Sequence, residues 1–129
     1  MNFSLLVMAS PYSSQSSLSA LKFAQTCIDQ QHTIYRVFFY HDGVHSTSQL
    51  HSPAQDETNV FQQWQKLAQS HKMDLVTCIA AALKRGVINE EEAKRYQKSQ
   101  HNLGESFELS GLGQLLDAQL NSDQLVTFG

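Results

Sequence analysis

Asp74-Leu-Val-Thr-Cys78-Ile-Ala-Ala-Ala-Leu-Lys-Arg-Gly86 changes character at its middle. Its first five residues are mostly apolar with β-branched Val76 and Thr77, as a short buried strand requires, and the alanine-rich half after Cys78 favours a helix that Gly86 ends. A strand running directly into a helix is the unit from which α/β folds are built. It also places Cys78 at the junction, where unpaired helix N–H groups and the helix dipole favour a thiolate. A thiol of pKa about 8.5 is roughly 3% ionised at neutral pH, and lowering it to about 6.5 makes roughly 75% of it thiolate. Such a shift requires about 2.7 kcal/mol, whereas a helix end supplies about 0.3 to 1 when exposed and up to about 2 when partly buried. A neighbouring donor or cation has to supply the remainder. The competing reading is an inert buried cysteine covered at a strand end.

The same alternation extends in both directions. Phe3-Ser-Leu-Leu-Val-Met-Ala9, closed by Ser10-Pro11, predicts a first strand. Serines 13, 14, 16 and 17 offer N-caps for a helix that buries Leu18, Leu21, Ala24, Cys27 and Ile28. Cys27 therefore belongs to the core. Thr33-Ile-Tyr-Arg-Val-Phe-Phe-Tyr40 has the composition of a strand covered on both faces. The segment from Val44 to Ala54 lacks either period and predicts a long surface loop. Asp56 can cap a helix with an apolar stripe of Val60, Phe61, Trp64, Leu67 and Ala68.

Beyond Gly86, Asn89 with Glu92 matches a helix-start pattern, and residues 98 to 108 read as polar and irregular. Ser110 is a candidate cap for a helix burying Leu112, Leu115, Leu116 and Leu120, and Leu125-Val-Thr-Phe128 can add a last strand. The sum is an α/β layer fold on a mainly parallel sheet. In such sheets sites lie beyond the carboxyl ends of the strands, where Ser10, His41, Asp42 and Cys78 all fall.

Composition narrows the function. The 129 residues suit one domain spanning 1–129, the formal net charge is −3, and the nine Lys and Arg residues are scattered except at Lys84-Arg85 and Lys94-Arg95. No phosphate-binding stripe is present, so strong direct tRNA or other nucleic-acid binding is not expected. The N-terminus lacks a signal-peptide pattern and no run is long enough to span a bilayer, which predicts a cytoplasmic protein without a membrane role. Two cysteines make no disulfide framework.

Ser110-Gly-Leu-Gly-Gln-Leu115 only superficially resembles a dinucleotide loop, because it lies late in the chain; its glycines are expected to serve close helix packing. His41, Asp42, His45 and His51 are metal-ligand types in one segment, yet loops carry histidines for other reasons, and His41 or Asp42 lining a pocket is the preferred reading. No cofactor and no metal are expected. There is no Gly-x-Ser-x-Gly elbow and no Cys-x-x-Cys pair, so a single working thiol suits persulfide transfer better than dithiol exchange.

Arg36-Val-Phe-Phe-Tyr-His-Asp-Gly-Val44, Cys78-Ile-Ala-Ala-Ala-Leu-Lys-Arg-Gly86 and Leu109-Ser-Gly-Leu-Gly-Gln-Leu115 together resemble the DsrE/TusD sulfur-relay family, over nearly the whole chain. The resemblance implies a three-layer sandwich with about five strands and a sulfurtransferase whose sulfur-carrying cysteine corresponds to Cys78; Cys27 matches no family sulfur site. It further implies a heterohexamer with TusB-like and TusC-like subunits, a TusA-like donor and a TusE-like acceptor. The family's tRNA branch makes 2-thiouridine at the wobble position, and its DsrE-like branch serves dissimilatory sulfur oxidation. A thiol that must meet other carriers has to be reachable, and Tyr12, Val44 and Leu50 are candidates for the meeting surface. Two other classes remain at this point: a non-catalytic assembly subunit and a flavodoxin-like small-molecule binder.

Overall fold

The computed structural model describes residues Met1–Gly129. Five strands form one parallel sheet in the order β4-β3-β2-β1-β5. β1 (Asn2–Val7) leads through α1 (Gln15–Asp29) to β2 (Thr33–Phe39), then a 3-10 helix (His41–Thr47) and α2 (Val60–His71) precede β3 (Asp74–Cys78). The chain continues through α3 (Ile79–Leu83), α4 (Glu90–Arg95), β4 (Phe107–Ser110) and α5 (Gly113–Leu120) to β5 (Gln124–Phe128). The first four strands step steadily across the sheet, and the last connection carries the chain back to the far side of β1. All five carboxyl ends share one edge.

Alternation along the strands sorts side chains between two helical layers. Phe3, Leu5, Val7, Val37 and Phe39 form one face, where Phe3 meets Phe23 of α1 edge-on at 5.4 Å and Phe39 meets Trp64 of α2 at 5.5 Å. Trp64, Phe38 and Phe39 are fully buried, each worth about 1.5 to 3 kcal/mol relative to exposure. The other face is held differently. A register break between Phe3 and Ser4 leaves Tyr35 as an extra residue in β2, so Tyr35 and Arg36 both reach α5. Arg36, 9% exposed, donates to Asp74 of β3 at 2.7 Å and, from one nitrogen, to Asp117 and the Gln114 carbonyl of α5, both at 2.8 Å. The Tyr35 hydroxyl donates to the same Asp117 oxygen at 2.7 Å.

This polar seat reverses one expectation. α5 turns Gln114, Asp117 and Ala118 toward the sheet, so of the four leucines only Leu115 joins the core, while Leu112, Leu116 and Leu120 are 51%, 60% and 74% exposed. Ser110 does not cap α5 either; it ends β4, and α5 starts after Leu112 without a side-chain cap. The first half of β4, Phe107-Glu108, falls within the stretch 98 to 108 expected to be irregular, because a four-residue edge strand shows too little pattern to separate from its polar surroundings. Gly111 and Gly113 face open space rather than a packed helix. The glycines at close approaches are Gly43, against the Val7 carbonyl, and Gly104, against the Phe61 ring.

Two further corrections concern the middle of the chain. The segment after β2 is partly a 3-10 helix whose Val44 is fully buried, so Val44 cannot serve an outer surface. The cap of α2 is Asn59, which accepts from the Gln62 N–H at 3.1 Å, rather than Asp56. The remaining starts agree with the sequence: Ser14 caps α1 and Asn89 caps α4.

Gly86 closes the helical segment after Cys78 with φ of +79°, its N–H donating to Leu83 and the Val87 N–H to Ala82 at 2.9 Å. That pair of bonds is a Schellman close, which requires a left-handed residue. Gly86→Ala is therefore expected to lower unfolding free energy by about 1 kcal/mol, measurable by urea titration. The hydrogen bond from Tyr35, then that from Arg36, holds the Asp117 carboxyl below its ordinary value. A lowered carboxylate contributes stability that is full above the unfolded value of about 3.9 and lost as pH falls through the folded one. Asp117→Asn should thus flatten the fall in stability below about pH 4, as read by thermal unfolding across pH.

Candidate functional site

Cys78 occupies the last position of β3, opposite Ser110 of β4, and is also the residue before α3. Asp74 at the start of β3 meets Arg36 on the α5 face, so alternation brings Val76 and Cys78 to that face as well. The Cys78 backbone is extended, with φ of −61° and ψ of 119°, and its side chain makes no capping bond. The thiol is thus not committed to closing the helix. It is 3% exposed and lines a cleft of about 380 Å³ with Tyr40, His41, Ile79, Ala80, Ala81, Lys84, Arg85, Gly111 and Leu112.

Each wall has a structural origin. Tyr40 and His41 leave the end of β2, where a left-handed backbone at His41, φ of +48°, lets its ring stack on Tyr40 with centroids 4.2 Å apart. Gly111 and Leu112 belong to the link between β4 and α5. Lys84 and Arg85 come from the turn after α3, about two helical turns beyond Cys78. Arg85 donates from Nε to Asp42 at 2.8 Å and from an outer nitrogen to the Ala81 carbonyl at 3.1 Å. The Arg85 hydrogen bond holds the Asp42 carboxyl below its ordinary range.

Of the candidates read from the sequence, Cys78 and His41 line the cleft and Asp42 joins its rim through Arg85. Ser10 does not line it, and its hydroxyl instead lies 3.4 Å from the Pro11 carbonyl. His51 lies apart, its ring edge-on to Tyr12 at 5.7 Å, and burial followed by the His45 charge pushes its pKa down. No three of the histidine, cysteine and acidic side chains converge as a metal site would require. Tyr12 is half-exposed, but its hydroxyl donates to the Thr58 carbonyl at 3.0 Å and accepts from the Val60 N–H at 3.2 Å, so it braces the start of α2. Leu50 is 69% exposed.

Tyr40, Lys84, Arg85, Gly111 and Leu112 line the cleft without having been candidates for the site in the sequence. The signal for two of them was available: Lys84-Arg85 is one of only two basic pairs, and helical spacing from Cys78 returns it to the thiol's side. The α3 helix is five residues long, shorter than the alanine-rich run suggested. Few peptide dipoles are therefore aligned behind Cys78, and the cationic side chains at this cleft are Lys84 and Arg85.

The two cysteines differ in surroundings rather than in exposure. Cys27 is 5% exposed on the inner face of α1, and burial pushes its thiol above the usual value despite a small opposing effect of the chain's amino terminus. It does not line the cleft that holds Cys78, and the only cation acting on it is the amino terminus, whose effect burial outweighs.

These features define an α/β domain with one thiol set at the mouth of a parallel sheet. Residues 1–128 match the DsrE/DsrF-like family, and the chain belongs to it. The relatives include a protein named putative sulfurtransferase DsrE from Allochromatium vinosum, 43% identical and covering 100% of this chain and 99% of its own length. Two proteins named sulfurtransferase TusD homolog, from Aliivibrio fischeri and Vibrio parahaemolyticus, are 48% and 47% identical, covering 98% and 99% of this chain and 97% and 98% of their own. The fold also matches the crystal structure of the ychN protein from E. coli, with a TM-score of 0.77 at 20% identity, covering 99% of this chain and all of that one. No helix is long and apolar enough to cross a membrane.

If the cleft gives the only route to a working thiol, a small alkylating reagent should modify Cys78 in the folded chain and leave Cys27 untouched until denaturant is added. Peptide mapping after brief labelling distinguishes the two; labelling of Cys27 first would contradict this assignment.

Proposed function

We propose that this chain is a sulfur-relay subunit in which Cys78 carries sulfur as a persulfide between proteins. The observation that carries the reading is the placement of Cys78 in an open cleft that two cations line and no carboxylate lines. A cationic setting favours the thiolate, which is the nucleophile in sulfur exchange. In loading, the Cys78 thiolate attacks the outer sulfur of a donor persulfide. One sulfur–sulfur bond forms as another breaks, the donor leaves as a thiolate, and the outer sulfur brings its proton. Unloading is the same displacement by the acceptor's thiolate, with Cys78 as leaving group. Neither step needs an outside oxidant or reductant, which suits a chain without a second cysteine beside Cys78.

The specific route we infer is cytoplasmic delivery of sulfur toward 2-thiouridine at the tRNA wobble position. In this reading the chain works as a TusD-like subunit with TusB-like and TusC-like chains in a heterohexamer, receives sulfur from a TusA-like donor and passes it to a TusE-like acceptor. Likeness to the Aliivibrio and Vibrio proteins supports it. The exposed Leu112 before α5 and Leu116 and Leu120 within it support assembly with other proteins, since four-residue steps bring them to one side of the helix. A second reading, dissimilatory sulfur oxidation, is favoured by the full-length likeness to the Allochromatium protein.

The test is donor-dependent mass spectrometry with partner proteins present. Cys78 should gain one sulfur, which the acceptor then removes. Cys78→Ser should retain fold and assembly while losing transfer; undiminished transfer by that variant would exclude the mechanism and leave an assembly role.

A further inference from the structure

The chain has a net charge of −3, yet its Cys78 cleft is lined by Lys84, Arg85 and His41 and by no acidic side chain. The two permanent cations are not equivalent. Arg85 is held by Asp42 at 2.8 Å and by the Ala81 carbonyl at 3.1 Å, so much of its charge is answered before it reaches the cleft. Lys84 makes no ion pair with any carboxylate. An ammonium on a flexible stem acts as a movable point charge, whereas a guanidinium fixed by two acceptors cannot turn toward a new anion without losing them.

Building on the persulfide reading, we propose that Lys84 is the positioning residue that holds the sulfur anion in this cleft, with the Asp42–Arg85 pair setting how much further positive potential Cys78 receives. One charge then serves both half-reactions. In loading it favours the Cys78 thiolate that attacks the donor's outer sulfur. In unloading it stabilises the same thiolate as the sulfur–sulfur bond breaks and the outer sulfur leaves with the acceptor, and a leaving thiol of lower pKa departs faster. The cation takes no electrons and forms no bond.

The groups facing the thiol define what else can titrate there. Tyr40 and His41 enter from β2 and the turn after it, and Lys84 and Arg85 from the end of α3. Gly111 and Leu112 enter from the β4–α5 link and bear no titratable side chain, while Ser110 is the strand partner of Cys78. Asp42 pairs with Arg85 and also lies near His41 and His45, so neutralising it frees the Arg85 guanidinium rather than removing a cation.

The experiment follows ultraviolet thiolate absorbance against pH in a Cys27→Ser background, taken as the difference from the same protein carrying Cys78→Ser, which cancels the tyrosines. Lys84→Gln should raise the Cys78 midpoint and so lower the thiolate fraction below it, and Lys84→Arg should restore most of the loss. Asp42→Asn should move the midpoint the other way. Lys84 is exposed, so these changes leave the core intact. A midpoint unmoved by Lys84→Gln overturns the role of Lys84, and an Asp42→Asn midpoint that stays or rises overturns that of the pair. Sulfur loading of the same variants by mass spectrometry separates the two levels: absence of sulfur on Cys78 in every variant, with the midpoints still shifted, refutes the relay while the charge arrangement stands.

Discussion

Arg36 is the constraint on which the site's architecture rests. Its guanidinium is largely buried among β2, β3 and α5, and a buried cation without partners would be strongly destabilising. Three acceptors from two other elements answer it, and two of them belong to α5. The helix is thereby fixed at one rotation about its own axis. That rotation sets the course of Gly111-Leu112 just before it, and those residues are a wall of the Cys78 cleft. A charge buried near the sheet's middle therefore shapes a pocket at its carboxyl edge.

The same clamp explains why the fold could be read from the chain while its last helix could not be oriented. Alternating apolar strands and helices were legible because burial of each face imposes a period on its own segment. Cys78 was legible as a strand end for the same reason. The leucines of α5 also have helical spacing, but the rotation of that helix is decided by Asp117 and the Gln114 carbonyl meeting a residue far away in sequence. No local period contains that information. The burial of Val44 was missed for a related reason: Gly43 lies so close to the Val7 carbonyl that the turn is pressed against the end of β1, a contact set by topology rather than by neighbours.

Within the site, the cysteine was readable and its electrostatic setting only partly so. Strand-to-helix position located the thiol, and the energy needed to ionise it called for a neighbouring donor or cation. Lys84-Arg85 was the obvious basic pair, but whether either residue faced the cleft depended on where α3 stopped. Helix propensity favoured a run to Arg85, and the structure ends the helix at Leu83, with the Gly86 close turning both basic residues at its margin. The pairing of Arg85 with Asp42 joins segments that only the β2–β3 register brings together.

Burial and reactivity at Cys78 are compatible because they concern different directions. The thiol has little exposed area, as expected for a residue at the end of an interior strand, yet one side of it opens on a cleft rather than on packed side chains. Limited access suits a carrier of reactive sulfur, since thiolates that are freely exposed proceed readily along the oxidation ladder. In the proposed relay it would also place the burden of approach on the partner, whose thiol would have to enter the cleft for an in-line displacement. The apolar surface beginning at Leu112 adjoins that opening, while the cations Lys84 and Arg85 line it from the end of α3. The apolar surface and the cations thus belong to separate elements, so in the proposed relay the strength of docking could change without altering the charge around the sulfur.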